Sequence, residues 1–276
     1  MTRRRLAGTL IVASLAVALG LGGCVGGAAP TPSPTPAPDL AAQLDGRAFL
    51  STGVAVGGAP KQLVAGTRIR LEFRQDTLGA AAGCNTFGAT FHIDGAILRI
   101  SGGATTEMGC DQPRHDQDEW LFGLLGSSPT LALAGDQLTV TAGTTLITLL
   151  DRRTAQPDLP LTGRTWTLES IISGATASSI PAGVTATLEF GADSMITVAS
   201  GCNTGAGRYT IEPGADASTG SLTVSDLAMT KKACPDAAGS VEASVLGLLR
   251  AGTITFEIEA SQLRLRAGDA ELDFRT

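Results

Sequence analysis

The tetrapeptide Gly-Cys-Asn-Thr occurs twice in the chain, in "GCNTFGATF" (83–91) and in "GCNTGAGRY" (201–209). Similar segments flank both copies. They are "LDGRAF" (44–49) with "LTGRTW" (161–166), "TRIRLEF" (67–73) with "VTATLEF" (184–190), "TEMGC" (106–110) with "TKKAC" (230–234), and "DQLTVTAG" (136–143) with "SQLRLRAG" (261–268). A repeat of this length indicates two copies of one folded unit. We therefore predict one domain at residues 40–153 and a second at 160–276.

The first residues have the layout of an export signal. Three arginines at positions 3–5 precede an uncharged apolar run at 6–21, which is shorter than the roughly 20 residues of a comfortable membrane-spanning helix. The run ends in "LGGC" (21–24), which resembles a lipobox. This pattern predicts a lipoprotein signal peptide at 1–23 and lipidation of Cys24. An ordinary cleaved signal and an uncleaved anchor are the alternatives.

The segment after the predicted signal has the features of an anchor followed by a spacer. Residues 24–39 comprise Cys24 and a proline-rich stretch that is too poor in apolar residues to pack a core. The 14 residues 25–38 would extend up to about 40 Å as polyproline II. Two or more acyl chains on Cys24 would give durable attachment to the membrane. We expect an extracytoplasmic lipoprotein anchored to the cell membrane.

The charge balance bears on the class of partner. The chain has 20 basic and 26 acidic residues, and loss of the signal peptide leaves 17 basic residues and a net charge of −9. So acidic a surface argues against nucleic acid or anionic lipid as a partner. The remaining residues have the composition of a globular protein.

Each copy contains several strand-like stretches and one helical stretch. Alternating or β-branched segments such as "TRIRLEF" and "TITFEIE" favour strands. In "CPDAAGSVEASVLGLLRAG" (234–252), apolar residues recur at helical spacing after a proline, and "DQPRHDQDEWLFGLLGSS" (111–128) is its counterpart. We predict an α+β fold, mainly antiparallel β, with six or seven strands and one helix per domain. Each sheet would curl around its helix or form a partly open barrel.

Four cysteines remain once Cys24 is assigned to the anchor, and they fall two per copy. An exported chain meets an oxidising compartment, so pairing within each domain is the simple expectation. The predicted disulfides are Cys84 with Cys110 and Cys202 with Cys234. Each would join a turn before a strand to the start of a helix.

The residues around the first cysteine of each pair suggest a structural corner. Gly83 and Gly201 would permit positive φ, while Asn85 and Asn203 would tolerate left-handed geometry and hydrogen-bond the turn. A functional alternative is that the two asparagines bind a ligand at a shared site.

These motifs together resemble the META domain (HslJ-like) family of small exported or lipid-anchored proteins. The resemblance rests on the "GCN" corner before an aromatic strand, on Thr-x-x-x-Cys before a helix, and on the apolar helix itself. Two successive copies of this pattern cover nearly all of residues 40–276. The second copy departs from the pattern because Gly205 replaces an aromatic residue. The resemblance implies a compact β-rich domain with one helix and a loose association with stress resistance and the cell envelope. It implies no settled catalytic activity.

Candidate catalytic and metal-binding residues are few. His92 and His115 could be combined with the cysteines Cys84 and Cys110 as a zinc site, but the spacing is irregular and the second copy has no histidine. We expect both histidine rings to face water. The sequence contains no nucleophile elbow and no phosphate-binding loop. We predict no catalytic residue, no metal site and no cofactor.

The remaining polar and aromatic candidates have structural interpretations. An acidic cluster at the predicted helix start would favour the helix dipole rather than bind calcium; it comprises Asp111, Asp116, Asp118 and Glu119. Lys231 and Lys232 are interpreted as a hydrated surface rather than an anion site. Trp120 and Trp166 are predicted to lie in the core.

Three functional hypotheses follow. The first is a non-enzymatic, membrane-anchored lipoprotein whose two domains bind an unidentified envelope protein or ligand. The second is a carrier with an apolar ligand or lipid in a sheet cavity. The third is an unrecognised hydrolase.

Overall fold

The strand-rich stretches form two antiparallel sheets, one within residues 47–151 and the other within 165–275. The computed structural model describes residues 39–276. The predicted signal peptide, the lipidation site at Cys24 and the spacer up to residue 38 lie outside these described residues. Among residues 39–276, no helix has both the length and the apolar character needed to cross a membrane.

The two domains contain the same elements in the same order. The strands of domain 1 are β1 (Arg47–Val56), β2 (Ala59–Pro60), β3 (Arg70–Arg74), β4 (Thr77–Ala81), β5 (Thr86–Asp94), β6 (Ile97–Thr105), β7 (Thr130–Ala134), β8 (Gln137–Ala142) and β9 (Thr145–Asp151). Those of domain 2 are β10 (Thr165–Ser173), β11 (Thr176–Ser179), β12 (Ala186–Phe190), β13 (Met195–Ser200), β14 (Thr204–Pro213), β15 (Thr219–Met229), β16 (Thr253–Glu259), β17 (Gln262–Ala267) and β18 (Ala270–Arg275). The helices are α1 (Leu40–Leu44), α2 (Gln112–Gly126), α3 (Arg152–Ala155) and α4 (Asp236–Leu249).

Each sheet closes on itself. Strand β1 pairs with β3 on one edge and β9 on the other, and β10 pairs likewise with β12 and β18. Eight strands therefore form each barrel, and β2 or β11 adds a short hairpin. The seam between β6 and β7 is the weak point of the first barrel, since it consists of the single pair Ile97 and Thr130. The predicted fold class, mainly antiparallel with tandem domains, is confirmed.

The long helix of each domain lies in the connection across this seam, between β6 and β7 or between β15 and β16. Its apolar face packs into the barrel. In α2, Leu121 and Leu125 are fully buried, and in α4 Val241, Val245 and Leu248 are buried. These are residues whose helical spacing predicted an inward face.

Large side chains fill the interior of both barrels. In domain 1, Phe73 makes edge contacts with Phe49 and Phe91, with ring centroids 6.1 and 5.3 Å apart. In domain 2, Trp166 is fully buried and its Nε1 donates a hydrogen bond to the Leu161 carbonyl at 2.8 Å. Close packing of this kind supplies most of the stability of a small β domain.

Each domain has nine strands rather than the six or seven that the sequence indicates. The additional strands include β4 ("TLGAA") and β7 ("TLALA"), which are short and poor in β-branched residues. Their own propensity for strand is weak, and pairing with neighbours determines their conformation. The short helices α1 and α3 are also additional to the one predicted helix per domain.

Both predicted disulfides are present, and both lie within a single domain. Cys84 bonds to Cys110 with a Cα–Cα distance of 6.3 Å, and Cys202 bonds to Cys234 with a distance of 5.8 Å. In each case the first cysteine precedes a strand and the second precedes the long helix. The disulfides indicate an oxidising, extracytoplasmic setting.

The two barrels contact each other through charged side chains and the connecting segment. Asp158, in that segment, binds Arg152 in an ion pair buried on both sides and accepts hydrogen bonds from Ala260 N at 2.8 Å and Ser218 Oγ at 2.7 Å. Leu159 N also donates to the Ala260 carbonyl at 2.9 Å. Asp158 thus links the end of the first domain to two loops of the second.

A more exposed ion pair joins the barrels directly. Arg70 Nη1 lies 2.5 Å from Glu259 Oε1, with both side chains partly open to solvent. Exposed pairs of this kind contribute little because water competes for both charges.

Removal of either disulfide should lower the stability of its own domain. We expect the double variant Cys202→Ser/Cys234→Ser to lose about 3 kcal/mol of unfolding free energy, because the cross-link restricts the unfolded chain. Denaturant unfolding of oxidised protein measures this loss, and Cys84→Ser/Cys110→Ser is the matched variant in domain 1. Free thiols at these positions in unreduced peptide maps would contradict the assignment.

Neutralisation of Asp158 should loosen the contact between the barrels. Burial alone would raise the pKa of Asp158, but hydrogen bonds from Arg152, Ala260 and Ser218 outweigh it and hold the pKa below its ordinary value. Its contribution is therefore present above the ordinary aspartate pKa and lost as the pH falls through the lowered one. We expect Asp158→Asn to cost about 2 kcal/mol at neutral pH, because Arg152 stays buried without its anion.

The partly exposed residue Glu259 offers a control. Glu259→Gln should cost less than about 1 kcal/mol, and both variants can be compared by denaturant unfolding at several pH values. Equal losses of unfolding free energy in the two variants would show that the buried Asp158 ion pair stabilises the protein no more than the partly exposed pair does.

Candidate functional site

The repeated tetrapeptides form two similar corners, which we call the GCN corners: Gly83, Cys84 and Asn85 in domain 1, and Gly201, Cys202 and Asn203 in domain 2. In domain 1, the three successive backbone amides of the corner point at one carboxylate. Asp118 of α2 accepts hydrogen bonds from Gly83 N at 2.7 Å, Cys84 N at 3.0 Å and Asn85 N at 2.7 Å, and is buried. Successive amides of this kind form an anion-binding nest.

The corner of domain 2 binds a carboxylate from the same position of its own helix. Glu242 accepts hydrogen bonds from Ser200 Oγ at 2.7 Å, Asn203 N at 2.8 Å and Asn203 Nδ2 at 3.0 Å. Burial raises the pKa of Glu242, but these hydrogen bonds and the positive charge of Arg250 outweigh it, so the pKa is lowered. Glu242 therefore stays ionised at neutral pH, as a ligand of the corner must.

The asparagine of each corner binds the segment that leads to the second cysteine. Asn85 Oδ1 accepts hydrogen bonds from Thr106 Oγ1 at 3.0 Å and from Met108 N at 2.8 Å. The Thr106 hydroxyl in turn accepts from Thr86 N at 3.0 Å. Thr106 is thus both donor and acceptor, which explains the threonine four residues before Cys110.

Domain 2 repeats this arrangement. Asn203 Oδ1 accepts from Thr230 Oγ1 at 2.7 Å and from Lys232 N at 2.8 Å, and Thr204 N donates to Thr230 Oγ1 at 3.1 Å. Asn85 and Asn203 are both buried, and the side-chain oxygen of each accepts two hydrogen bonds. This gives no support to the alternative in which the asparagines bind an external ligand.

Only one of the two corner glycines has the predicted positive φ. Gly201 has the expected positive φ, at 100°, but Gly83 does not, and neither asparagine adopts positive φ in the described chain. Gly83 is required for a different reason, since a Cβ there would lie 2.6 Å from the Arg114 carbonyl of α2. Neither asparagine uses the left-handed geometry that it could tolerate, and their side chains hydrogen-bond from ordinary backbone geometry.

The histidines also differ from each other. His92 is exposed, as predicted. His115 was expected on a solvated helix face, but it is half-buried with Nδ1 3.3 Å from Asn85 Nδ2, and its Nε2 accepts a hydrogen bond from Cys110 N at 3.3 Å. The helix start carries His115 under the corner, which helical spacing by itself does not reveal.

Two sets of potential metal ligands converge at the corners. They are Cys84, His115 and Asp118 in domain 1, and Cys202, Cys234 and Glu242 in domain 2. In the structure the cysteine sulfurs form the two disulfides, and each carboxylate accepts hydrogen bonds from the amides of its corner. These groups are therefore already engaged within the protein. His92 lies outside both sets, so the four-residue zinc site considered from the sequence does not assemble.

The other polar and aromatic candidates have separate roles. Asp111 caps α2 by accepting from Arg114 N at 3.2 Å, whereas Asp118 does not act on the helix dipole as predicted but binds the corner. Asp116, Glu119, Lys231 and Lys232 are exposed. Trp166 is core as predicted, while Trp120 is only half-buried and its ring lies 4.9 Å from Lys61 Nζ.

The roles of Asp118 and Glu242 at the corners were not predicted from the sequence. The available signal was their equal spacing, since Asp118 and Glu242 each lie eight residues after the second cysteine of their domain. The change from aspartate to glutamate conceals this match. In domain 2, Ser200 Oγ and Asn203 Nδ2 donate in place of two of the three backbone amides that bind Asp118 in domain 1.

Loss of the charge inside a corner should destabilise its domain. We expect Asp118→Asn to cost about 2 to 3 kcal/mol, because an amide group cannot accept three backbone hydrogens as a carboxylate does. Asp116→Asn, an exposed change on the same helix, should cost less than about 0.5 kcal/mol. Denaturant unfolding of the two variants measures the difference, and similar losses would contradict this role of Asp118.

Comparison with solved structures finds several distant similarities. A protein solved by NMR shares 21% sequence identity, covering 40% of this chain and 92% of that one with a TM-score of 0.34. A protein from Burkholderia xenovorans, also solved by NMR, shares 16% identity, covering 45% and 97% with a TM-score of 0.36. The DNA polymerase III β subunit of Thermotoga maritima shares 13% identity, covering 84% and 56% with a TM-score of 0.16. These scores carry no functional conclusion.

Curated proteins give no significant match. The sequence profile of the META domain, in contrast, matches residues 42–153 and again residues 159–276. The two matches contain the two barrels, the two disulfides and the two GCN corners. The chain therefore belongs to the META domain family and carries two tandem copies of its domain.

Proposed function

We propose that the protein is a non-enzymatic, membrane-anchored lipoprotein of the cell envelope whose two META domains bind another envelope component. The observation that carries this proposal is the hydrogen bonding of the buried polar side chains in the barrels. Every buried side-chain nitrogen and oxygen in the described residues has a hydrogen-bond partner. The corner carboxylates and asparagines therefore serve as internal joints, which suits a rigid scaffold that presents its surface.

Attachment to the membrane is part of the proposal and rests on the sequence. The "LGGC" motif before the spacer supports lipidation of Cys24, and the spacer would hold the barrels away from the bilayer. The two disulfides support the extracytoplasmic location. Two linked modules would also gain avidity if both touched the partner.

The alternatives receive less support. A lipid carrier needs an interior cavity, whereas Phe49, Phe73 and Trp166 are among the fully buried side chains that fill the barrels. A hydrolase needs an activated nucleophile, and among residues 39–276 the ring nitrogens of His115 form hydrogen bonds with Asn85 and the Cys110 amide rather than with a serine or a free thiol. We therefore retain the binding function.

Two measurements in the native cell test this proposal. Wild-type protein should incorporate a radiolabelled fatty acid and sediment with membranes, whereas Cys24→Ala should do neither while keeping both disulfides, because the acylated thiol is lost and the barrels are not. Photo-cross-linking of the anchored protein in intact cells should capture a discrete envelope component. An unlabelled, released wild-type protein would contradict the anchor, and a wild-type sample with no cross-linked partner would contradict the binding function.

A further inference from the structure

A surface groove of about 560 Å³ lies beside the GCN corner of domain 2, between the end of β15 and helix α4. We call it the domain 2 groove. Its floor is formed by apolar side chains that are buried or half-buried, and its rim by exposed cations. The floor residues are Leu227, Met229 and Leu246, and the rim residues are Lys231, Lys232 and Arg250.

The first repeat fills the same position with aromatic rings. Leu246 and Phe122 lie equally far along the chain from the second cysteine of their domains, so they correspond. Gly205 and Phe87 correspond likewise, by their distance from the first cysteine. In domain 1 the Phe87 and Phe122 rings stack with centroids 5.1 Å apart. In domain 2 neither ring is present. The space beside Gly205 is taken by the Ala228 carbonyl and the Met229 sulfur, which would lie 2.1 and 2.4 Å from a Cβ there. The helix side has Leu246 in place of a ring, and Leu227 and Met229 are half-buried at the groove.

The rim charges are also specific to the second repeat. The three cations correspond to Glu107, Met108 and Gly126 in domain 1, none of which is basic. Lys231 and Lys232 are two of only three lysines in a chain with net charge −6. Within residues 39–276, none of the rim cations forms an ion pair. The groove is therefore a local positive site on an acidic protein.

One negatively charged side chain, Glu242, also lies in the groove. Glu242 lines it, but its oxygens already accept hydrogen bonds from Ser200 Oγ and from the backbone and side-chain nitrogens of Asn203. Glu242 is thus engaged with the corner beneath the groove. The three exposed cations of the rim outnumber it.

The strand beside the groove offers backbone groups as well. Strand β15 pairs with β16 only from Thr219 to Thr223, while residues 228–229 pair with β14 on the opposite edge. In the described chain the β16-side edge of β15 has no strand partner beyond Thr223. Such an edge can receive an extended peptide.

We propose that the domain 2 groove binds an extended acidic peptide segment of a partner protein. Its apolar side chains would cover Leu227, Met229 and Leu246, and its carboxylates would pair with the three rim cations. The groove volume falls in the usual range for ligand sites. An anionic lipid surface is the weaker occupant, because a bilayer would face the acidic surface around the groove as well, whereas a short peptide contacts the groove alone. This inference rests on the proposed binding function and names the class of partner.

The test uses the purified full chain and the blocked hexapeptide Asp-Glu-Leu-Leu-Glu-Asp, with Asn-Gln-Leu-Leu-Gln-Asn as its uncharged match. Isothermal titration should show saturable binding of the acidic peptide that weakens with added salt, because exposed charges are screened. NMR signals from the groove residues should shift on addition of this peptide. The uncharged peptide should bind at least about fivefold more weakly.

Substitutions that copy domain 1 locate the site. Lys231→Glu/Lys232→Met, which installs the residues of the first repeat at exposed positions, should weaken binding about tenfold. Leu246→Phe should also weaken it by filling the floor as Phe122 does. Arg208→Glu, an exposed cation outside the groove, should leave the affinity unchanged. Circular dichroism of each variant establishes that the fold is retained.

Several outcomes would overturn the proposal. These are no saturable binding of the acidic peptide, binding that the lysine variant leaves unchanged, or binding through these lysines to phosphatidylglycerol vesicles and not to the peptide. A partner captured in cells without peptide binding would refute the groove and leave the binding function. Peptide binding without any partner in cells would refute that function and leave the groove.

Discussion

The joint between helix and barrel is the contact on which the rest of each domain depends. A carboxylate of the long helix, Asp118 or Glu242, lies inside a turn that donates hydrogen bonds from backbone amides or neighbouring side chains. The helix lies in the connection between β6 and β7 or between β15 and β16, so the joint fixes how that connection is attached to the barrel. A disulfide beside the joint holds the same two elements covalently. Charge, hydrogen bonds and the cross-link thus act on one point of the fold.

The two repeats keep this joint and differ around it. Both corners use the same asparagine and threonine bonds, although the carboxylate changes length between them. The surface beside the corner changes more, because stacked phenylalanines in domain 1 give way to an open groove with a basic rim in domain 2. After a duplication, one copy can retain a closed surface while the other presents a binding surface. The joint does not have to change, because Asn203 and Glu242 stay hydrogen-bonded to each other although both also line the groove.

The contact between the barrels has a different physical basis. The buried ion pair of Asp158 and Arg152 lies in the connecting segment and is supported by hydrogen bonds from domain 2. It holds the segment that follows β9 against two loops of domain 2. Contacts of this kind suit the proposed role, because restricting the linker lowers the entropy lost when both domains contact one partner.

Local patterns in the chain were enough to establish the repeat, the mainly antiparallel class, the inward faces of the two long helices and the pairing of the four cysteines. These features depend on periodicity, on the spacing of like segments and on the chemistry of an oxidising compartment. The folded arrangement was needed to learn which groups the corners bind, why Gly83 lacks a side chain, how β1 and β9 close the barrel, and where the second repeat leaves a groove open. Each of these depends on residues that are far apart in the chain, such as Asn85 and Asp118, or Phe49 and Asp151. Their distances follow from closure of the sheet and packing of the helix, which no local pattern in the sequence encodes.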